Sequence, residues 1–143
     1  MKKRHLQIVL CFACLVLFFL IASHLSHQNQ TFDAIFPELK QTVSCHIFSI
    51  DTTRSVETTL TGAELYHLMD KLREPDYDRD GPAGSVIEGT LYHLIFNIEQ
   101  SKDTHIMITD SGKLYTDSWQ YSIRPDNVSA DIEKLLLLRH GSE

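Results

Sequence analysis

An apolar run close to the N-terminus constrains this chain more than any other feature. Residues 8–22 are fifteen consecutive apolar residues, and the wider window 6–25 holds only three polar ones. An α-helix rises about 1.5 Å per residue and needs about 20 residues to cross the ~30 Å hydrocarbon core of a bilayer. The basic residues at 2–4 favour a cytoplasmic N-terminus. The sequence therefore predicts a single-pass membrane anchor over residues 6–25, with the C-terminal part outside the cytoplasm.

A cleaved signal peptide is the alternative explanation of the same run. Signal cores usually have about 7–15 apolar residues, followed by small residues at the cleavage site. The run lies at the top of that range, and Ile21 stands where a cut after Ser23 needs a small side chain. A lipoprotein signal does not fit, because Cys14 lies in the middle of the run. We prefer the uncleaved anchor, with a secreted domain after cleavage as the alternative.

Charge and cysteine content exclude several classes of function for the exported part. All 19 acidic residues follow the apolar run, and leaving out the three basic residues at 2–4 changes the whole-chain charge of −6 to −9. Such a surface repels phosphate backbones, so nucleic acid is excluded as a partner. Cys45 is the only cysteine beyond the run, which excludes a disulfide framework within the exported part.

The composition divides the chain into a short basic start, the anchor, a linker and one domain. Residues 1–5 are the cytoplasmic start, and residues 26–42 are predicted to be a juxtamembrane linker. The domain covers residues 43–140. At its beginning, β-branched and aromatic residues alternate with polar ones over 43–51 and 55–60, which predicts two strands joined by a turn.

The first helix of the domain has both a start signal and a buried stripe. Thr61-Gly62-Ala63-Glu64 fits a capping box, in which the threonine and glutamate side chains satisfy two free backbone amides. The next residues repeat with helical spacing and predict one buried face: Leu65, Leu68, Met69 and Leu72. Pro75 ends the helix, and His67 lies on the solvent face.

Alternation of apolar and polar residues predicts the central hairpin. Residues 89–99 form a strand, and a slip by one residue against its partner would expose the apolar side chains. A short loop after the strand pairs Ile98 with Ile106. In that register His93 and His105 lie on neighbouring strands but are not directly opposite.

The remaining elements complete an α+β domain. Asp110-Ser111-Gly112 predicts a three-residue hairpin loop that aligns Ile108 with Leu114. A further strand follows at 118–123, and a helix at 127–140 closes the chain. The order β-β-α, three or four antiparallel strands, then α predicts an antiparallel sheet with two helices on one face.

One acidic stretch resembles a calcium-binding loop. Asp76, Asp78 and Asp80 stand at loop positions 1, 3 and 5, and Gly81 stands at position 6. Position 12 is Ile87 instead of a bidentate glutamate, so calcium affinity should be no better than about 10⁻⁴–10⁻³ M. The preferred interpretation is a solvated acidic loop, with weak calcium binding as the metal hypothesis. No other cofactor is predicted.

The histidines and the lone exported cysteine do not define a catalytic centre. His24 and His27 are three residues apart and would share one helix face, where linker polarity is the preferred explanation. Cys45 and His46 cannot form a dyad through adjacency, because neighbouring strand residues point to opposite faces. We assign no catalytic residue.

The arrangement of segments resembles a known type of protein. A basic-start anchor is followed by the helix TGAELYHLMDKLRE, the strand YHLIFNI, the hairpin IMITDSGKLY and the helix IEKLLLL. Over residues 43–139 this is similar to the small membrane-anchored or lipoprotein extracytoplasmic domains of unknown function found in Gram-positive bacteria. The likeness is one of pattern, and it implies no catalytic residues.

These observations favour a non-enzymatic envelope protein whose acidic domain binds a protein or peptide. The alternative is a small calcium- or metal-dependent sensor or enzyme that uses the Asp76–Asp80 loop or the histidines. The two are distinguished by whether those side chains converge on a concave pocket.

Overall fold

A computed structural model describes residues 2–26, 29–50, 55–84 and 89–140. The predicted turn at 52–54, His27 and Ile87 lie outside the described residues. The helical elements are α1 (Lys2–Ser26), α2 (Phe32–Ile35), a 3₁₀-helix (Pro37–Gln41), α3 (Gly62–Arg73) and α4 (Val128–His140). The strands are β1 (Asn29–Gln30), β2 (Thr42–Ile50), β3 (Ser55–Thr61), β4 (Asp76–Pro82), β5 (Leu91–Ile98), β6 (Thr104–Thr109), β7 (Lys113–Tyr115) and β8 (Trp119–Arg124).

The eight strands form one antiparallel sheet in the order β1-β4-β8-β7-β6-β5-β2-β3. Alternate residues of the central strands point to one face and pair across it, as Ile47 does with Leu94, which in turn pairs with Ile106. These side chains are fully buried in one cluster with Leu68 of α3 and Ile132 of α4. The predicted α+β fold with an antiparallel sheet is confirmed.

Several local predictions are confirmed as well. The stripe Leu65, Leu68, Met69 and Leu72 is buried, and His67 is exposed. The β6–β7 hairpin aligns Ile108 with Leu114, and Gly112 has a φ of +72°. A positive φ is the left-handed conformation that favours glycine, so the turn residue has the predicted role.

The segment predicted to be a linker contributes to the core. Phe32, Phe36 and Leu39 are buried, and the Phe32 ring lies 5.1 Å from the Phe36 ring between centroids. Its centroid is 5.8 Å from that of Tyr77 in β4. The strand β1 pairs with β4 in the same region. These apolar side chains of the segment 29–41 therefore belong to the core of the domain, which begins earlier in the chain than predicted.

The predicted register of β5 against β6 is wrong by four residues. Ile106 pairs with Leu94 and not with Ile98. A shift by an even number of residues keeps every apolar side chain on the same face, so the burial pattern does not distinguish the two registers. The chain uses a longer connection between the strands than predicted, from Glu99 to Asp103.

Two further sequence predictions need correction. Thr61 occupies the N-cap position of α3 with an extended backbone, but its side chain makes no capping hydrogen bond. The acidic stretch 76–82 is strand β4 and not a loop. Tyr77 explains this strand, because its fully buried ring and its 2.6 Å hydrogen bond to the Leu72 carbonyl fix the chain against α3.

Helix α1 covers the segment predicted to be an anchor. Of the helices that the structure describes, none meets both the length and the apolarity of a membrane span. The membrane span over residues 6–25 stays a prediction from the sequence.

Candidate functional site

The face of the sheet opposite the helices carries the candidate site. We name it the open face and define it by outward side chains of three neighbouring strands. They are half-buried or exposed, and they comprise His46, Phe48, Ile50, Leu91, His93, Ile95, His105 and Met107. Sheet faces exposed to water usually carry polar residues, so this mixture of apolar and imidazole side chains is a candidate binding surface.

Four rings of the open face form a continuous row across three strands. The His46 centroid lies 4.3 Å from that of Phe48, and the Phe48 centroid lies 6.2 Å from that of His93. The row ends at His105, whose centroid is 5.3 Å from that of His93. Ring pairs at such separations attract one another beyond their buried area, so each ring restrains the next.

The two histidines at the end of the row are in direct contact. His93 Nε2 lies 3.2 Å from His105 Nδ1, a hydrogen bond whose donor depends on the tautomers. Burial lowers the pKa of His93, and the charge of a protonated His105 lowers it further. The lowered pKa keeps His93 in its neutral form at pH 7. Its Nε2 then faces the Nδ1 of His105.

The other end of the row is held by β3. His46 Nδ1 lies 2.9 Å from the Thr59 hydroxyl, and its Nε2 lies 3.7 Å from a carboxylate oxygen of Glu57. The longer contact exceeds hydrogen-bond distance, and Nε2 is a buried atom with no hydrogen-bond partner in the part of the chain described.

A groove of about 490 Å³ lies on the open face beside the edge strand β3. Its lining is mostly apolar, and it includes Phe48, Ile50, Ser55, Glu57, His93 and Ile95. The groove thus joins the ring row to the edge of the sheet.

A second cleft, of about 440 Å³, lies at one end of the sheet. The α2 region, the β5–β6 connection and the β7–β8 connection enclose it. Trp119 lies on its rim, with the Arg79 guanidinium 4.5 Å from the Trp119 ring centroid. Because that cation already covers the indole, the cleft offers a less accessible aromatic surface than the groove.

The residues of the calcium hypothesis are placed along β4. An extended chain separates alternate residues by about 6.5 Å, so Asp76, Asp78 and Asp80 do not wrap one ion as a loop would. Asp78 pairs with Arg124 at 2.8 Å, and Asp80 pairs with Lys113 at 2.7 Å. No three His, Cys, Asp or Glu side chains of the described residues are grouped to hold a metal ion.

Asp80 belongs to a small polar network with Lys113 and Ser122. The Lys113 ammonium donates to the Ser122 hydroxyl at 2.6 Å, and that hydroxyl donates to the Asp80 carboxylate at 2.7 Å. Burial alone would raise the pKa of Asp80, but the hydrogen bonds from Lys113 and Ser122 outweigh it and lower the pKa. An ammonium held by a carboxylate has no lone pair to accept the serine proton, so the network does not form a catalytic serine–lysine pair.

We expect millimolar calcium to leave the thermal unfolding midpoint unchanged, within about 1 °C. A site with a dissociation constant of about 10⁻³ M would stabilise the protein by about 1.4 kcal/mol in 10 mM calcium. The measurement is a pair of thermal melts with and without calcium. Asp78→Asn is the matched variant. If calcium raised the unfolding midpoint of wild type but not that of Asp78→Asn, the expectation would be overturned.

Cys45 provides no nucleophile on this surface. It is fully buried on the core side of β2, while its neighbour His46 lies on the open face. Burial raises the pKa of the Cys45 thiol, which keeps it protonated. Cys45 and His46 thus point to opposite faces of β2, as the alternation of side chains along a strand predicts.

Sequence reasoning missed the ring row and the contact between His93 and His105. The outward alternation of His46 with Phe48, and of His93 with Ile95, was the available signal. The register error separated the two histidines, and only the correct pairing brings their rings together.

No protein-family model, no curated protein and no solved structure matches this chain.

Proposed function

We propose that the domain is a non-enzymatic binding module that holds an extended segment of a partner protein on the open face. The groove beside β3 is the observation that carries this proposal. It combines an apolar lining with a neighbouring sheet edge, and these are the two features that extended peptides use when they add to a sheet.

The edge strand supports the proposed mode of binding. β3 stands at the end of the strand order, and β2 is its one pairing partner within the described sheet. An unpaired strand edge presents backbone donors and acceptors to an incoming strand. Main-chain hydrogen bonds would then supply affinity, and the groove would supply selectivity for one side chain of the peptide.

Charge indicates the chemistry of the partner segment. Glu57 lines the groove with a largely exposed carboxylate, and the chain beyond the apolar run has an excess of acidic residues. A segment with one apolar residue for the groove and a basic residue for Glu57 is complementary to this surface. We therefore propose a basic, partly apolar peptide segment as the partner.

We further infer that α1 anchors the domain in the cell membrane with the domain outside the cytoplasm. A helix of 25 residues is about 37 Å long. Large apolar side chains are exposed all along its described part, including Leu10, Phe12, Leu17 and Phe18. Such a surface is costly in water, and a bilayer would cover it. We therefore propose that the protein is of the same type as the membrane-anchored extracytoplasmic domains of Gram-positive bacteria that its sequence resembles.

Protease added to intact cells should remove the domain and leave a small membrane-bound fragment. The positive charges at 2–4 would hold the N-terminus inside, so the folded part would be accessible from outside. The control follows a cytoplasmic marker protein through the same treatment, in intact cells and after lysis. A soluble form that begins near His24 would instead show cleavage and secretion.

Binding can be tested by selecting random linear peptides on the full chain in a mild detergent. We expect selected peptides to bind wild type and His67→Lys, a control on the exposed face of α3, but not Ile95→Lys in the groove. Selection without enrichment would contradict the proposal, as would peptides that bind Ile95→Lys as well as wild type.

Metal-dependent sensing is the second candidate function. The contact between His93 and His105 is the observation in its favour. The carboxylates of β4 add nothing to it, because Asp78 and Asp80 are ion-paired to basic side chains.

A further inference from the structure

We propose that His93 and His105 together bind a divalent transition-metal ion on the open face. His93 Nε2 and His105 Nδ1 are the two protein ligands, and water fills the remaining positions. This site rests on the second candidate function, metal-dependent sensing. It shares His93 with the groove lining, but His105 and the two ligand nitrogens are its own, so copper binding and peptide binding are measured separately.

The separation of the two nitrogens fits coordination of one ion. They lie 3.2 Å apart. With metal–nitrogen bonds of about 2.0–2.1 Å, two tetrahedral ligands lie about 3.3 Å from each other, and two adjacent square-planar ligands lie about 2.9 Å from each other. The observed distance falls between these values, so the spacing suits one ion once both rings turn their nitrogen lone pairs away from each other and towards it.

The sheet fixes the backbone positions of the two histidines relative to each other. His93 pairs with Met107 and His105 pairs with Ile95, so the histidines are diagonal neighbours on one face of two hydrogen-bonded strands. The Phe48 ring lies on the far side of His93, at 6.2 Å between centroids. Ligands on paired strands are more precisely placed than ligands on loops, and the exposed His105 leaves an open path for the ion.

The protons balance without an additional reactant. In the metal-free pair one nitrogen donates its proton to the other. When the ion binds, that proton moves through water to the second nitrogen of the same ring, and both rings bind the metal as neutral imidazoles. The ion then replaces the hydrogen bond as the link between the two rings.

The ligand set predicts which ions bind. Imidazole nitrogens suit copper, zinc and nickel, and affinity for a given site is highest for Cu²⁺. Calcium and magnesium prefer oxygen ligands and should not bind here. No third His, Cys, Asp or Glu joins the pair within the described chain, so the ion keeps water ligands that remain exchangeable.

The test is a calorimetric titration of the full chain, purified without a polyhistidine tag, with Cu²⁺, Ni²⁺, Zn²⁺ and Ca²⁺. We expect one Cu²⁺ site that His93→Gln weakens by at least about 10-fold, because the second ligand binds intramolecularly. His105→Gln should weaken it equally, and the double variant, which keeps neither ligand, should bind no more tightly than either single variant. His67→Gln, which removes a single exposed histidine from α3, should leave the site intact.

Electron paramagnetic resonance of the Cu²⁺ complex gives a second readout. Wild type should show coupling of the copper to two imidazole nitrogens. Each single variant should lose the coupling to the second nitrogen. Circular dichroism confirms that the variants remain folded, and His105→Asn repeats the test if His105→Gln is unstable. Equal copper affinity in wild type and both single variants would overturn the proposal, as would a loss confined to one histidine.

Discussion

Replacing Leu68 or Phe96 with alanine is expected to lower the free energy of unfolding by about 2–5 kcal/mol. Both side chains are fully buried, Leu68 on α3 and Phe96 on β5, and they belong to the same core cluster. Each substitution removes buried apolar contacts and leaves a cavity that the surrounding side chains fill only in part. Urea unfolding of the full chain in a mild detergent measures the effect.

His67→Ala is the matched control, because His67 is the neighbour of Leu68 on the same helix but is exposed. Its free energy of unfolding should stay within about 0.5 kcal/mol of wild type. If His67→Ala proved as damaging as Leu68→Ala, α3 would be rotated relative to the core described here.

Ile95→Lys is expected to weaken binding of the selected peptides by at least about 30-fold. Ile95 is half-buried and lines the groove beside β3. A lysine there extends its charged end into the space that the apolar residue of the peptide would fill. Because the substitution is on the open face and not in the core, the unfolding free energy should change by no more than about 1 kcal/mol. Equilibrium binding by fluorescence anisotropy and a parallel urea titration measure the two quantities.

Glu57→Gln separates the charge of the groove from its shape. It should weaken only those selected peptides that carry a basic residue, and raising the salt concentration should reduce the difference, because exposed charges are screened. If Ile95→Lys and His67→Lys weakened the peptides equally, binding would not involve the groove.

Local chemistry explains which parts of the fold were predictable from the sequence. The turn at Gly112 was predicted because a left-handed residue in a three-residue loop fixes the hairpin by itself. The buried face of α3 followed from the spacing of Leu65, Leu68 and Leu72. In both cases the determining residues are within a few positions of one another.

The remaining features depend on contacts between distant segments. The pairing of Leu94 with Ile106 and the pairing predicted for Ile98 keep the same side chains buried, so alternation alone could not select one. The acidic stretch 76–82 has the composition of a loop, but it forms a strand because Tyr77 is buried against residues that are distant in sequence, such as Phe32.

The candidate site was the least predictable part for the same reason. The ring row brings together side chains of β2, β5 and β6, and their contacts exist only in the correct register. The sequence predicted a binding module in general terms from its acidic charge and its lack of a catalytic pattern. The position of the binding surface could not be predicted, because it depends on which strands pair and in which register.

Site-specific photocrosslinking in intact cells tests directly whether the open face binds a partner protein. A photoreactive residue is placed at Ile95 on the open face, or at Tyr66 on the exposed face of α3 as the control. We expect one discrete crosslinked protein from position 95, reduced in the presence of excess selected peptide, and none from position 66. Absence of a product at position 95, or the same product from both positions, would contradict the proposal that the open face binds the partner.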